Sequence, residues 1–217
     1  MRRFSSAMRL WLAGLVVGSI STVASAVVIL DTGLTQPGFG WVGYDIFPEQ
    51  SVGIAFQPAV DVTLDRVGLW FMSNDFDAPG RQYTLSLVTD AGVAPSIPNT
   101  SNVLESWSIA TNGVGWTPVL DQVDSVVKPL LTAGTWYWLV AASNEPAGLD
   151  PLWVQAGNDV QYYSAIQNSA NPGGVWFGGY SFGSTPGTVI EATPVPEPTM
   201  LGALAIAGIG SLRRRRA

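Results

Sequence analysis

The central part of this sequence predicts an all-β fold, an antiparallel β-sandwich of the jelly-roll kind, on three observations. Apolar residues recur with period two, the period of a strand with one buried face. Short runs of this kind are separated by Pro, Gly, Asn and Asp clusters such as Asp77-Ala78-Pro79-Gly80 and Asn171-Pro172-Gly173-Gly174. No long amphipathic helix interrupts them, so two sheets that each bury one face are the economical arrangement.

Residues 1–26 read as a signal peptide. Arg2, Arg3 and Arg9 precede the apolar run 10–17, and Ala24-Ser25-Ala26 supplies an A-x-A exit, so signal peptidase is expected to cut after Ala26. A retained anchor is the alternative, against which the apolar run is short. Arg2-Arg3-Phe4 hints at twin-arginine export, but the flanking residues favour the general secretory route.

Residues 27–194 hold the β-domain. Tyr83, Leu85 and Leu87 alternate with Thr84 and Ser86, which predicts a half-buried strand. Val62 and Leu64 lie on one parity and Val67, Leu69 and Phe71 on the other, so a β-bulge or a strand break is expected near Asp65-Arg66. Further strands are expected over 103–111 and 135–142. In the latter, Trp136 and Trp138 share one face and Tyr137 and Leu139 the other, the pattern of a central strand apolar on both sides.

Residues 195–217 close the chain with a different chemistry. Val195-Pro196-Glu197-Pro198 precedes an uncharged stretch, 199–212, and then Arg213, Arg214, Arg215 and Arg216. As a helix that stretch reaches about 21 Å, against a hydrocarbon core of about 30 Å, which makes it a marginal and temporary transmembrane anchor. Arginines after it favour a cytoplasmic C-terminus and place 27–194 outside, in agreement with the N-terminal signal. The two prolines hold the peptide ahead of 199 extended at the membrane surface, where a protease can read it.

This order of motif, helix and basic cluster resembles the PEP-CTERM sorting signal. The resemblance implies recognition by an exosortase, a membrane-embedded transpeptidase that cuts near Pro196-Glu197-Pro198, passing association with the inner membrane, and release to the cell surface or beyond. It further implies a host that makes exopolysaccharide. A plain tail anchor behind a proline-bearing linker is the alternative. The body also resembles the exported choice-of-anchor domains, through Val52-Gly53-Ile54-Ala55-Phe56, the stretch 63–69 and Gly134-Thr135-Trp136-Tyr137-Trp138-Leu139-Val140. That likeness supplies no catalytic residues.

Composition narrows the chemistry. Residues 27–194 carry three basic side chains against fifteen acidic ones, a formal net charge of −12, which repels phosphate backbones and argues against nucleic-acid partners. With no cysteine the exported domain holds together by packing alone, and with no histidine it lacks the commonest general base and metal ligand.

Gly179-Tyr180-Ser181-Phe182-Gly183 fits the nucleophile elbow, yet no histidine exists to serve it, and it reads as a glycine-rich aromatic strand. Ser125-Val126-Val127-Lys128 fits S-x-x-K, but Pro129 follows at once and no partner motif supports it. Asn74, Asp75 and Asp77 on one turn are a weak Ca²⁺ candidate, set against an ordinary Asx-rich turn. No other metal and no cofactor are expected. Trp136 and Trp138, helped by Trp153 or Trp176, would form a platform for sugar rings if exposed, or a buried core if not.

Three functional readings follow. The first is a non-catalytic surface or matrix protein associated with exopolysaccharide and biofilm. The second is a carbohydrate-active enzyme using a carboxylate pair, for which Asp61, Asp65, Glu105 and Asp121 are available. The third is a structural or adhesive protein that binds protein partners through edge strands.

Overall fold

The computed structural model describes residues 25–34, 43–75, 79–92, 97–115, 117–156, 162–167, 176–180 and 185–196. Among the described residues there are thirteen strands and no helix. The first seven are β1 (Val27–Asp31), β2 (Gly43–Asp45), β3 (Ser51–Phe56), β4 (Val62–Ser73), β5 (Gln82–Asp90), β6 (Pro98–Ala110) and β7 (Val119–Asp124). The others are β8 (Leu130–Leu131), β9 (Tyr137–Ala142), β10 (Pro151–Val154), β11 (Tyr163–Gln167), β12 (Trp176–Tyr180) and β13 (Thr188–Pro194). The signal peptide expected over 1–26, except Ser25 and Ala26, and the helix expected over 199–212 lie outside the described residues.

Two antiparallel sheets account for every strand. The seven-stranded sheet is built on the 12-residue β4, one edge of which pairs with β13 and then β10, the other with β7 and β8. Outside these, β1 pairs with β13 and β2 with β10. The six-stranded sheet runs β12-β11-β3-β9-β5-β6.

Inward-facing residues of both sheets meet in one core. Leu64, Val67, Leu69 and Phe71 of β4 join Tyr83, Leu85 and Leu87 of β5 and Ile54 of β3. Phe71 is the centre of a stack that crosses between sheets, its ring 4.2 Å from that of Tyr83 and 5.6 Å from that of Trp153. Two smaller clusters lie on outer faces: Met72, Leu152 and Val154 on one sheet, and Ala55, Val88, Trp138 and Val140 on the other.

The parity slip in β4 is a bulge. Arg66 pairs with Glu191 and Leu64 with Ala192, so Asp65 is the extra residue, and residues on both sides of it face the same core. Two expected boundaries move. The strand expected over 103–111 begins at Pro98 and ends at Ala110, because β6 is an edge strand whose register shifts twice against β5 and so tolerates a leading proline. The strand expected over 135–142 begins at Tyr137, because the turn at Gly134 (φ +71°) is closed by the Thr135 amide donating to the Thr132 carbonyl.

Candidate functional site

The chain enters and leaves the fold at one pole. Val27, the first residue of β1, is paired with Ala192, near the end of β13. Val195 then donates its amide to the carbonyl of Asp61 at 2.9 Å, and both Val195 and Pro196 are exposed. Among the described residues, the last hydrogen bond along the chain thus falls on the first residue of the expected sorting motif. Ala26, directly before Val27, is exposed. Ala24, Glu197, Pro198 and Arg213, Arg214, Arg215 and Arg216 lie outside the described residues.

The four carboxylates available to an acid–base pair are all engaged by their surroundings. Asp61 accepts the Ala133 amide at 2.8 Å. Asp65, projecting from the bulge, binds the Lys128 ammonium at 2.8 Å and the Thr193 hydroxyl at 2.5 Å. Burial alone would raise its pKa, but the bonds from Lys128 and Thr193 outweigh that and hold it below the ordinary value. Glu105 is buried and accepts the Ser125 hydroxyl at 2.5 Å and the amides of Val126 and Val127 at 2.7 and 3.1 Å. Asp121, 1 % exposed, accepts the amide and the side-chain nitrogen of Asn112 at 3.2 and 2.7 Å, with the Tyr83 hydroxyl at 3.5 Å. Burial raises its pKa despite these donors.

The S-x-x-K stretch is a turn folded over Glu105. Lys128 donates its amide to the Ser125 oxygen at 2.9 Å and takes a left-handed conformation, φ +51°. The serine hydroxyl is therefore spent on a carboxylate. In the nucleophile-elbow match, Gly179 and Tyr180 belong to β12, as a glycine-rich strand requires, and Ser181 to Gly183 lie outside the described residues.

The Asx-rich turn is likewise internally satisfied. The Asn74 side-chain nitrogen donates to Asp45 at 2.8 Å and to Asp150 at 3.4 Å, and Asp75 is paired with Arg81. Asp77 lies outside the described residues. Among the described residues no group of three or more Asp or Glu side chains is placed to hold a metal.

The tryptophans divide. Trp138 is fully buried, packed with Ala55, Val88 and Ala165, and its ring nitrogen donates to Asp90 at 2.6 Å, so it offers no face to a sugar. Trp153 is also fully buried, bonded to the Gly187 carbonyl at 3.0 Å. Trp136 is half-buried beside Tyr163, ring centroids 6.3 Å apart. Trp138 falls on the strand that was expected to be apolar on both faces, whereas no strand was expected at Trp153. The platform is thereby lost at Trp138.

What the sequence alone did not bring together is a row on the outer face of the six-stranded sheet. The pairing aligns Ser108 with Thr84, Thr84 with Ala142, Ser51 with Gln167 and Gln167 with Trp176. Because Val52 pairs with Ala141, Ser51 follows opposite Ala142 and the row is continuous across all six strands. Two clefts lie along it, about 480 and 380 Å³, and Ser51 and Ala142 line both. The next row, Ser106, Ser86, Val140, Gly53 and Ala165, is equally small and uncharged.

No protein-family model matches the chain, and no curated protein is significantly similar to it.

Proposed function

We propose that this chain is an exported, non-catalytic surface or matrix protein, sorted through its C-terminal segment by an exosortase and associated with exopolysaccharide. In this reading the two sheets form a jelly-roll-like sandwich carried between two removable membrane segments. The observation that carries it is the sequence Val195-Pro196-Glu197-Pro198, uncharged stretch and four arginines, in order, with a signal peptide at the other end. The single-pole exit of β1 and β13 supports it, since both tethers then hold the same side of the domain to the membrane and both cuts fall outside the folded strands. The engagement of Asp65, Glu105 and Asp121 in internal hydrogen bonds favours binding over carboxylate catalysis.

Fractionation of the native host tests the association. The protein is expected in the extracellular matrix fraction and is expected to shift to free medium when the polysaccharide is enzymatically removed or genetically absent. Unchanged fractionation without polysaccharide would contradict it.

A further inference from the structure

We infer that the outer face of the six-stranded sheet, along the row Ser108, Thr84, Ala142, Ser51, Gln167 and Trp176, binds a linear, uncharged polysaccharide. This rests on the reading that the protein associates with exopolysaccharide, and names the site and the ligand class.

The composition of the row is the first ground. A water-facing sheet surface ordinarily carries β-branched and charged side chains, and Ser, Ala and Gly serve a strand poorly. Here two adjacent rows spanning the sheet carry no charged residue at all and, apart from Gln167 and Trp176, nothing larger than Val140. Val140, Ala165 and Trp176 pack with Trp138 on this face, but Thr84, Ser106 and Ser108 are exposed and gain nothing in packing, and a local rule broken there marks a functional surface.

Shape is the second. Small side chains leave a depression, and the two clefts that share Ser51 and Ala142 each fall in the size range of small-ligand sites. Six strands spaced about 4.8 Å apart give a trough of about 24 Å, enough for several sugar rings in line. A peptide ligand would instead add to a sheet edge, where backbone groups are unpaired.

Chemistry is the third. The hydroxyls of Ser51, Thr84 and Ser108 make no hydrogen bond within the described residues, and each both donates and accepts, as a sugar hydroxyl does. Val103, exposed on β6, lines the other end and suits the C–H faces of the rings, with the edges of Val140 and Trp176, 6 % and 8 % exposed, beside it. The single carboxylate in the lining, Glu145, is held by Arg81 at 3.3 Å, and no other charged group lines either cleft. With a formal net charge of −12 over 27–194, the domain repels uronate or sulfate polymers.

The test is affinity electrophoresis of the exported protein in gels containing neutral polymers (glucan, galactan, mannan) or acidic ones (alginate, polygalacturonate). Thr84→Trp and Ser108→Trp fill the trough from exposed positions, and Gln122→Trp, exposed on β7 of the other sheet, is the control; thermal melting verifies that each is folded. Retardation by at least one neutral polymer, weakened about tenfold or more by either trough variant and unchanged by the control, is the expected result. Retardation by acidic polymers alone, or by neutral ones without effect of the trough variants, overturns the inference and leaves the association standing. No retardation by any polymer overturns both.

Discussion

Glu105 shows how a single side chain can settle what a motif means. Its buried carboxylate receives a hydroxyl and two amides from the turn at Ser125 to Lys128. Hydrogen bonds to a charged group stabilise by about 1.5–3 kcal/mol, and donors left unmet in the interior cost more. Glu105→Ala is therefore expected to lower unfolding free energy by about 2–4 kcal/mol in urea titrations. The S-x-x-K spacing was visible in the sequence; its meaning was not, because the partner lies twenty residues earlier and on another strand.

Asp121 and Asp150 give the fold a pH dependence of a definite sign. Both are raised above 3.8, first by burial, with Asp45 adding repulsion at Asp150. A carboxyl that binds its proton more tightly when folded favours the folded state at low pH. Its contribution is full below 3.8 and is lost as pH rises through the folded value. Asp65, lowered by Lys128 and Thr193 against its own burial, works oppositely: its contribution is present above 3.8 and lost as pH falls through the folded value. Asp121→Asn removes one of the raised groups, so its denaturation midpoint is expected to fall less between pH 4 and pH 7 than that of the unaltered protein. An unchanged slope would mean that burial does not hold the Asp121 proton.

Among the elements, β5 and β9 were the most legible and β6 the least. In β5 one face is buried and one wet, so the alternation Tyr83, Leu85, Leu87 was written directly in the sequence. In β9 both faces are apolar because a second cluster covers the outer one, which is why Trp138 is core and not platform. The start of β6 reads Pro98-Asn99-Thr100-Ser101-Asn102, turn chemistry by composition, and only pairing with β5 through two register shifts makes it a strand. The row across the outer sheet face was illegible for a related reason. It joins positions 51, 84, 108, 142, 167 and 176, and their alignment is fixed by register between strands, which no local pattern records.

The turn between β8 and β9 carries an element-scale expectation. Gly134 sits at φ +71°, and a Cβ there would meet nothing within 4 Å, so the cost of adding one is conformational alone. Gly134→Ala is expected to destabilise by about 1–2 kcal/mol without altering the core, measured as a lower melting temperature with an unchanged near-ultraviolet spectrum. An unaffected melting temperature would mean that the turn relaxes to another conformation.

At the scale of the whole molecule, the order of events along the chain matches the order of elements in the sheet. β1 begins at Val27, one residue past the expected signal-peptidase cut, and pairs with β13, the last strand. The seven-stranded sheet is therefore complete only when β13 joins β1, and the expected sorting motif begins at Val195, directly after β13. Pairing β1 with β13 brings Val27 beside Ala192, and every described strand lies between the two expected cuts. Without cysteines, the stability of the domain rests on its shared core and on buried carboxylates such as Glu105.

The most direct test is the intact mass and cellular fraction of the protein from its native host, with and without Arg213, Arg214, Arg215 and Arg216. Sorting predicts an extracellular or surface species that begins at Val27 and ends within Pro196 to Pro198, and that is lost when the arginines are removed. A species retaining its full C-terminus in the inner membrane, whether or not the arginines are present, would contradict it and make the tail a plain anchor.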